Sequence, residues 1–375
     1  MRLLSTLLCG VLFGTLTSLT AALKTCDQCV KITECAPAMN DLRTNRSPAT
    51  VKKVHDALCG FDGIQKVCCS DFFSSRSLIE EVETNVQSSG DGIENHRNIG
   101  LLPTECGDID GTRIVGGVTA GLYEFPWLAL ISYRDAENKG SLPFKCGGTV
   151  ITSRYVLTAA HCIVYQHVAG VRIGDYDISQ KEDCVGEEEL RECETKYQDI
   201  SVTHTIAHPR YVTRPYVLND IGLLRLARTV DFTVRNSGSI CLPVTKVLRD
   251  KDLAGERGIV AGWGMVNSTT KSNILLKVEL PIFSKTTCNT YYKRSPRSKG
   301  IERMTNTFCA GEIGHDSCKG DSGGPMMLES LYDNTFKFVQ YGIVSYGPQQ
   351  CGSEKPGVYT DVRKFLKWIL DTIKP

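Results

Sequence analysis

Three short segments hold the residue types that an acyl-transfer site needs. Residues 320–325 read Gly-Asp-Ser-Gly-Gly-Pro, and Asp316 stands shortly before Ser322. Thr158-Ala159-Ala160-His161-Cys162 follows the apolar run Tyr155–Leu157. Asn219-Asp220-Ile221-Gly222-Leu223-Leu224-Arg225-Leu226 puts an aspartate at the head of a further apolar run. A serine hydroxyl is a poor nucleophile until a base removes its proton. Small neighbours let a reacting carbonyl approach the backbone N–H groups that hold its oxyanion. His161 is the candidate base. Asp220 lies among apolar residues, where an ionised carboxylate needs a partner, and His161 supplies one. Taken alone, a glycine-rich Asp-Ser segment fits an ordinary loop, and a single histidine is more often structural. The three contexts together point to Ser-His-Asp chemistry, in which the aspartate fixes the imidazole tautomer.

His161, Asp220 and Ser322, in that chain order, resemble the trypsin-like, chymotrypsin-fold serine proteases from Ile114 to the C-terminus. Subtilisin-like and α/β-hydrolase enzymes use other orders. The resemblance implies an all-β fold, two six-stranded antiparallel β-barrels with a cleft between them. It implies an oxyanion hole from the N–H groups of Gly320 and Ser322. It puts Asp316 at the base of the primary specificity pocket and Gly347 and Gly357 in its walls. A carboxylate in a closed pocket favours a long cationic side chain, so cleavage after Arg or Lys is expected. The alternative for Asp316 is an exposed loop charge. Ser345-Tyr346-Gly347 matches the strand that pairs with extended substrate backbone. Tyr346 stands where tryptophan is commoner and is expected to pack against the residue before the cleaved one.

Arg113-Ile114-Val115-Gly116-Gly117 resembles the activation site of the same family. Cleavage after Arg113 would free the Ile114 amino group, which is cationic near neutral pH. In the family that amine pairs with the aspartate before the serine, here Asp321, and the contact shapes the oxyanion hole. A zymogen is therefore expected, cut by an upstream trypsin-like protease.

The elements that must position these residues are short. β-type runs between turn residues recur at Trp127–Tyr133, Gly148–Thr152, Tyr155–Ala159, Ser201–Ile206, Ile221–Leu226, Gly258–Gly262, Leu275–Ile282, Phe336–Ser345 and Gly357–Val362. That spacing predicts an all-β sandwich or barrel. Val362, Phe365, Leu366, Ile369 and Ile373 fall at helical spacing. They predict a short amphipathic helix over Val362–Ile373 that packs without a catalytic role.

Met1-Arg2, an apolar stretch Leu3–Leu19 and Thr20-Ala21-Ala22 read as a secretory signal peptide cleaved after Ala22. Secretion exposes the chain to an oxidising compartment, where cysteines pair. Of 17 cysteines, Cys9 lies in the signal peptide, which leaves an even number. Cys26, Cys29, Cys35, Cys59, Cys68 and Cys69 cluster early, as a disulfide scaffold, because so short a segment buries too little core. A zinc site is the rival reading. The oxidising compartment and the lack of histidine ligand spacing disfavour it.

Six cysteines ending in Val-Cys-Cys, ahead of a trypsin-like domain, resemble the clip domain of arthropod proteases. That resemblance implies Cys26–Cys68, Cys29–Cys59 and Cys35–Cys69. In the protease domain it implies Cys146–Cys162, Cys184–Cys193, Cys288–Cys309 and Cys318–Cys351, with Cys106–Cys241 tying the clip segment to the catalytic domain. The expected map is a signal peptide over 1–22 and a clip domain over 23–70. A linker and activation segment spans 71–113, and the protease domain spans 114–375. Residues 71–105, rich in Ser, Glu, Asn and Gly, read as a flexible linker.

Asp175 and Asp177 precede the acidic insertion Glu187-Glu188-Glu189. No cofactor is required, but trypsin-like enzymes often bind structural Ca2+ in this region. Asp175 and Glu187 are the candidate ligands, and a solvated acidic face is the equal alternative. Asn45 and Asn267 begin glycosylation sequons. The net charge of +1 and the absence of a long basic block give no reason to expect nucleic acid or a membrane as partner. The resemblance implies a secreted serine endopeptidase zymogen of an arthropod haemolymph cascade. Its substrate would be a downstream protein zymogen or cytokine precursor, and its inhibitor a serpin-type protein. The pathway would be innate immunity, by Toll-ligand processing or prophenoloxidase activation, or else dorsoventral patterning. The alternative from another class is a non-catalytic clip-domain cofactor that acts by binding. Such relatives have usually lost the serine, which is present here as Ser322.

Overall fold

The computed structural model describes residues 26, 29–35, 38–39, 42, 53–54, 56–62, 64–72, 92–109, 119–134, 144–186, 191–214, 216–265, 270–292, 305–348 and 350–375. The signal peptide, Arg113, Ile114, Glu187, Asn45 and Asn267 lie outside the described residues. The chain divides into two compact units, Met1–Gln87 and Ser88–Pro375.

In the first unit, β1 (Cys29–Lys31) and β2 (Leu58–Asp62) flank β3 (Ile64–Cys68) in an antiparallel sheet of order β1-β3-β2. Its buried core is small: Cys35, Ala38, Val54, Ala57, Val67, Cys69 and Phe72. Three disulfides, Cys26–Cys68, Cys29–Cys59 and Cys35–Cys69, cross it. Cross-links of this kind offset the little apolar area that so few residues can bury.

The second unit begins with a barrel. β4 (Leu128–Tyr133) is buried at every residue, and β5 (Phe144–Thr152), β6 (Tyr155–Thr158) and β7 (Val168–Ile173) follow it. A two-stranded ribbon, β8 (Asp183–Val185) with β9 (Glu192–Glu194), interrupts the barrel. β10 (Gln198–Ala207) and β11 (Gly222–Leu226) then close it in the order β10-β11-β6-β5-β4-β7. Apolar runs such as Leu128–Ile131 lack alternation because both faces are covered.

A helix α1 (Lys246–Asp250) leads into the other six strands. These are β12 (Arg257–Gly262), β13 (Leu276–Pro281), β14 (Thr307–Ala310), β15 (Pro325–Tyr332), β16 (Thr335–Tyr346) and β17 (Gly357–Asp361). Helix α2 (Lys285–Tyr292) lies between β13 and β14. The sheet order is β13-β12-β15-β16-β17-β14. Two sets of six antiparallel strands with a C-terminal helix are the expected chymotrypsin-like architecture. The two edge strands of this second sheet, β13 and β14, meet at the isolated bridge Ile282–Ala310. Trp127 links the two halves, its indole N–H meeting Met327 Sδ at 3.1 Å and its ring lying 5.6 Å from that of Phe338.

β7, β14 and β15 are absent from the sequence-derived runs. Gly170 interrupts β7, β14 is brief, and β15 opens on Pro325, all features that weaken a strand pattern. The C-terminal helix is also shorter than expected. Residues Val362–Lys364 form a 3-10 turn capped by the Asp361 carboxylate, and α3 runs only over Leu366–Thr372. Phe365, at φ −122°, breaks the helical path. The buried set Val362, Phe365, Leu366, Ile369 and Ile373 is nonetheless the expected face.

Residues 92–109 correct the linker reading. They belong to the second unit, with Ile93 buried in its main core and Ile99, Leu101 and Leu102 packed against it. The polar average of 71–105 conceals these four apolar residues.

Candidate active site

The 3-10 turn Ala160–Cys162 follows β6 and carries His161. Asp220 sits just before β11, which pairs with β6 through Gly222–Thr158. That pairing is why residues 59 positions apart meet. His161 Nδ1 lies 2.7 Å from Asp220 Oδ2, and the His161 backbone N–H donates to Oδ1 at 2.9 Å. The Asp220 side chain is 2% exposed and that of His161 31%. A carboxylate only accepts, so the shared proton sits on Nδ1 and Nε2 is left as an acceptor. Ser345 Oγ donates to the same Asp220 Oδ2 at 2.5 Å, and Thr360 Oγ1 donates to the Asp220 backbone carbonyl at 2.8 Å.

Ser322 lies in the turn before β15. Its carbonyl accepts from Gly147 N at 2.8 Å. Cys162 Sγ, in the Cys146–Cys162 bridge, is 3.6 Å from both that carbonyl and His161 Nε2. Serine and imidazole therefore flank one sulfur. Among the described residues, the N–H groups of Gly320 and Ser322 have no acceptor. Unengaged backbone N–H donors are the groups an oxyanion needs.

Asp316 lies on the other side of this turn. Its Oδ1 is buried with no hydrogen-bond partner among the described residues. Burial pushes its carboxyl up to about 6, against the opposing pull of the Ser317 and Gly352 N–H groups. A Cβ on Gly357 would stand 3.0 Å from Oδ1, so any larger residue there would crowd that oxygen. At Gly347 a Cβ would meet only Gly357 Cα, at 3.6 Å. Ser317 and Tyr359 hydroxyls bond at 2.9 Å beside it. A buried carboxylate oxygen with no internal donor suits an incoming guanidinium or ammonium.

Asp321 Oδ1 accepts from Gly264 N and Oδ2 from Cys318 N, both at 2.9 Å. Burial nevertheless pushes this carboxyl up to about 6. Asp316 and Asp321 line one cavity of about 190 Å³, together with Gly262, Gly264, Met265 and His315. Tyr346 meets Tyr292 edge-on at 6.3 Å. Tyr292 is fixed by its hydroxyl, which donates to Pro356 O at 2.6 Å.

The remaining bridges are Cys106–Cys241, Cys184–Cys193, Cys288–Cys309 and Cys318–Cys351. The last ties the serine turn to the segment that holds Gly352 and Gly357. At the candidate calcium site, Asp175 Oδ2 pairs with Arg172 Nη1 at 3.1 Å. Asp175 Oδ1 is buried with no hydrogen-bond partner among the described residues.

The position of Ser345 against Asp220 was not legible in the sequence, where it reads only as part of a substrate-pairing strand. The two residues are 125 positions apart and no spacing signal connects them.

Residues 114–369 match the trypsin family. The chain is similar to CLIP domain-containing serine protease HP8 of Bombyx mori, 36% identical over 361 residues, covering 92% of this chain and 91% of that protein. Melanization protease 1 of Drosophila melanogaster is 41% identical over 288 residues, 73% of this chain and 69% of its own. Among solved structures, the drosophila Grass clip serine protease of the Toll pathway is similar with a TM-score of 0.63 at 28% identity, covering 92% of this chain and 94% of that one. Fold, the contact between His161 and Asp220 and these likenesses agree, and the chain belongs to the clip-domain serine proteases of the trypsin family.

Proposed function

We propose that this protein is the secreted zymogen of a serine endopeptidase that cuts peptide bonds after Arg or Lys. The observation that carries the reaction is the buried Asp220 carboxylate holding His161 Nδ1 at 2.7 Å. Ser322 Oγ attacks the substrate carbonyl carbon and its proton passes to His161 Nε2. The oxyanion is held by the Gly320 and Ser322 N–H groups. His161 returns the proton to the leaving amine as the C–N bond breaks, and an acyl-Ser322 ester remains. Water repeats the sequence in reverse order, forming the product carboxylate and restoring the serine. Asp316, with its unpartnered oxygen, supports the choice of a cationic side chain.

Activation would follow cleavage between Arg113 and Ile114, with the new amine pairing with Asp321. Ionised Asp321 would gain a cationic partner there, which favours the charged form over the buried neutral one. The activator would itself be an arginine-directed protease, which places the chain in an extracellular cascade. Relatives that include a melanization protease and a Toll-pathway protease support haemolymph immunity as the setting. A downstream zymogen or cytokine precursor would be the substrate and a serpin-type protein the inhibitor.

The test is to cut the purified protein after Arg113 and assay an arginyl-amide substrate, with Ser322→Ala as the control. Hydrolysis that depends on Ser322 is expected. Its absence from correctly cut protein would leave only a binding role.

A further inference from the structure

We infer that residues 93–109 are clasped to the second unit by contacts that do not need the Cys106–Cys241 disulfide, and that they stay docked after the chain is cut. The inference rests on the cleavage after Arg113 proposed above, which would make this segment part of a separate polypeptide.

The clasp has two ends. At the first, Ile93 is buried in the main core. Glu94 Oε1 accepts from the Lys246 backbone N–H and from Arg249 Nη1, at 3.3 Å for the latter. Lys246 is the first residue of α1, so the carboxylate satisfies an N–H that the helix itself leaves without an acceptor. His96 Nδ1 accepts from Asn98 N at 3.1 Å, which leaves Nε2–H to donate to Asp371 Oδ1 at 2.9 Å. Asn98 Nδ2 donates to Leu370 O at 2.8 Å and to Ile373 O at 3.2 Å. These carbonyls belong to the end of α3, where no further helical turn supplies N–H groups. Ile99, Leu101 and Leu102 pack against the core between the two ends.

At the second end, Ser239 Oγ donates to Glu105 O at 3.1 Å and Gly107 N to Ser239 O at 2.8 Å. Phe338 N donates to Gly107 O at 2.7 Å, and Lys337 pairs with Asp108. The disulfide lies within this second end and places no constraint on Glu94, His96 or Asn98. A passive tether would leave the α3 carbonyls to water. Instead the polar side chains of the segment are matched to particular backbone groups at the ends of α1 and α3. The surface formed by α3, α1 and the Lys337–Phe338 stretch of β16 is thus a receptor for a segment of this same chain.

The test uses the full chain carrying Cys106→Ser and Cys241→Ser. It is cut with a trypsin-like protease and run on native size exclusion. Both fragments are expected to elute together, and adding Glu94→Ala and Asn98→Ala should separate them. Separate elution without those two substitutions overturns the inference. N-terminal sequencing reports the cut independently. If no chain begins at Ile114, the activation reading fails, and the clasp is tested on the same variant with a site-specific protease sequence inserted after Asp110. If the serine variant does not fold, the disulfide-intact Asn98→Ala protein is compared with the parent by hydrogen exchange. Amides of residues 370–374 should then exchange about tenfold faster, and unchanged rates would overturn the clasp.

Discussion

Ser345 Oγ donates to Asp220 Oδ2 at 2.5 Å, on the same oxygen that His161 Nδ1 meets at 2.7 Å. One carboxylate oxygen thus receives a donor from β16 in the second half and one from the turn after β6 in the first. The hydroxyl fixes the carboxylate, and the carboxylate fixes the imidazole. Ser345→Ala should lower kcat on an arginyl amide by about tenfold with KM within about twofold. A KM change as large as the kcat change would assign Ser345 to substrate binding instead.

Asp316→Ser should lower kcat/KM for arginyl substrates by about 10²–10³, because a cation would enter a closed site with no charge to meet it. The comparison is kcat/KM for arginyl and for uncharged substrates. An unchanged ratio between them would remove Asp316 from the specificity pocket.

Burial pushes the Asp316 carboxyl up to about 6 from its ordinary 3.8. Above about pH 6 it is ionised and attracts a cation; below, it is protonated and does not. KM for arginyl amides should therefore rise as pH falls through about 6, approaching tenfold per pH unit. Stability has the opposite sign. The folded state holds this proton more tightly than the unfolded state, so the group stabilises the fold below its unfolded value and loses that contribution as pH rises through about 6. Asp316→Asn should flatten both dependences, as read from KM and from Tm between pH 4 and pH 7.

Gly323 has φ +80°, and a Cβ there would lie 2.2 Å from Thr158 Oγ1 and 2.5 Å from Gly147 O. No L side chain fits without moving the serine turn, β5 or β6. Gly323→Ala should cost about 2 kcal/mol or more and reduce activity with it. Thermal unfolding and an arginyl-amide assay on the same preparation check both.

Lys277 Nζ contacts both Glu124 carboxylate oxygens at 2.7 Å, with the two side chains 13% and 7% exposed. Glu124 Oε2 also accepts from Gly121 N at 2.8 Å, tying the segment after Ile114 to β13. Lys277→Met should destabilise by about 3–5 kcal/mol because it leaves a buried carboxylate unpaired. Adding Glu124→Gln should recover part of that loss. Denaturant unfolding of the two variants measures the difference.

The chemistry was legible in the sequence because it depends on residue type and immediate neighbours. Small residues around Ser322, a cysteine beside His161 and apolar residues after Asp220 are local facts. The nine apolar runs mark strands because burial imposes a pattern on consecutive residues. The disulfide partners came through a family resemblance, since spacing alone leaves many pairings open.

Tertiary structure decided what depends on distant residues meeting. Closure at Ile282–Ala310, the bond from Ser345 to Asp220 and the capping of α3 by Asn98 join residues 28, 125 and 272 positions apart. The packing of residues 92–109 was hidden for the same reason. Four apolar residues in a polar stretch show their role only when a core lies beside them. Local chemistry is written in neighbours along the chain, whereas a hydrogen bond between strands depends on how the barrels place their backbones.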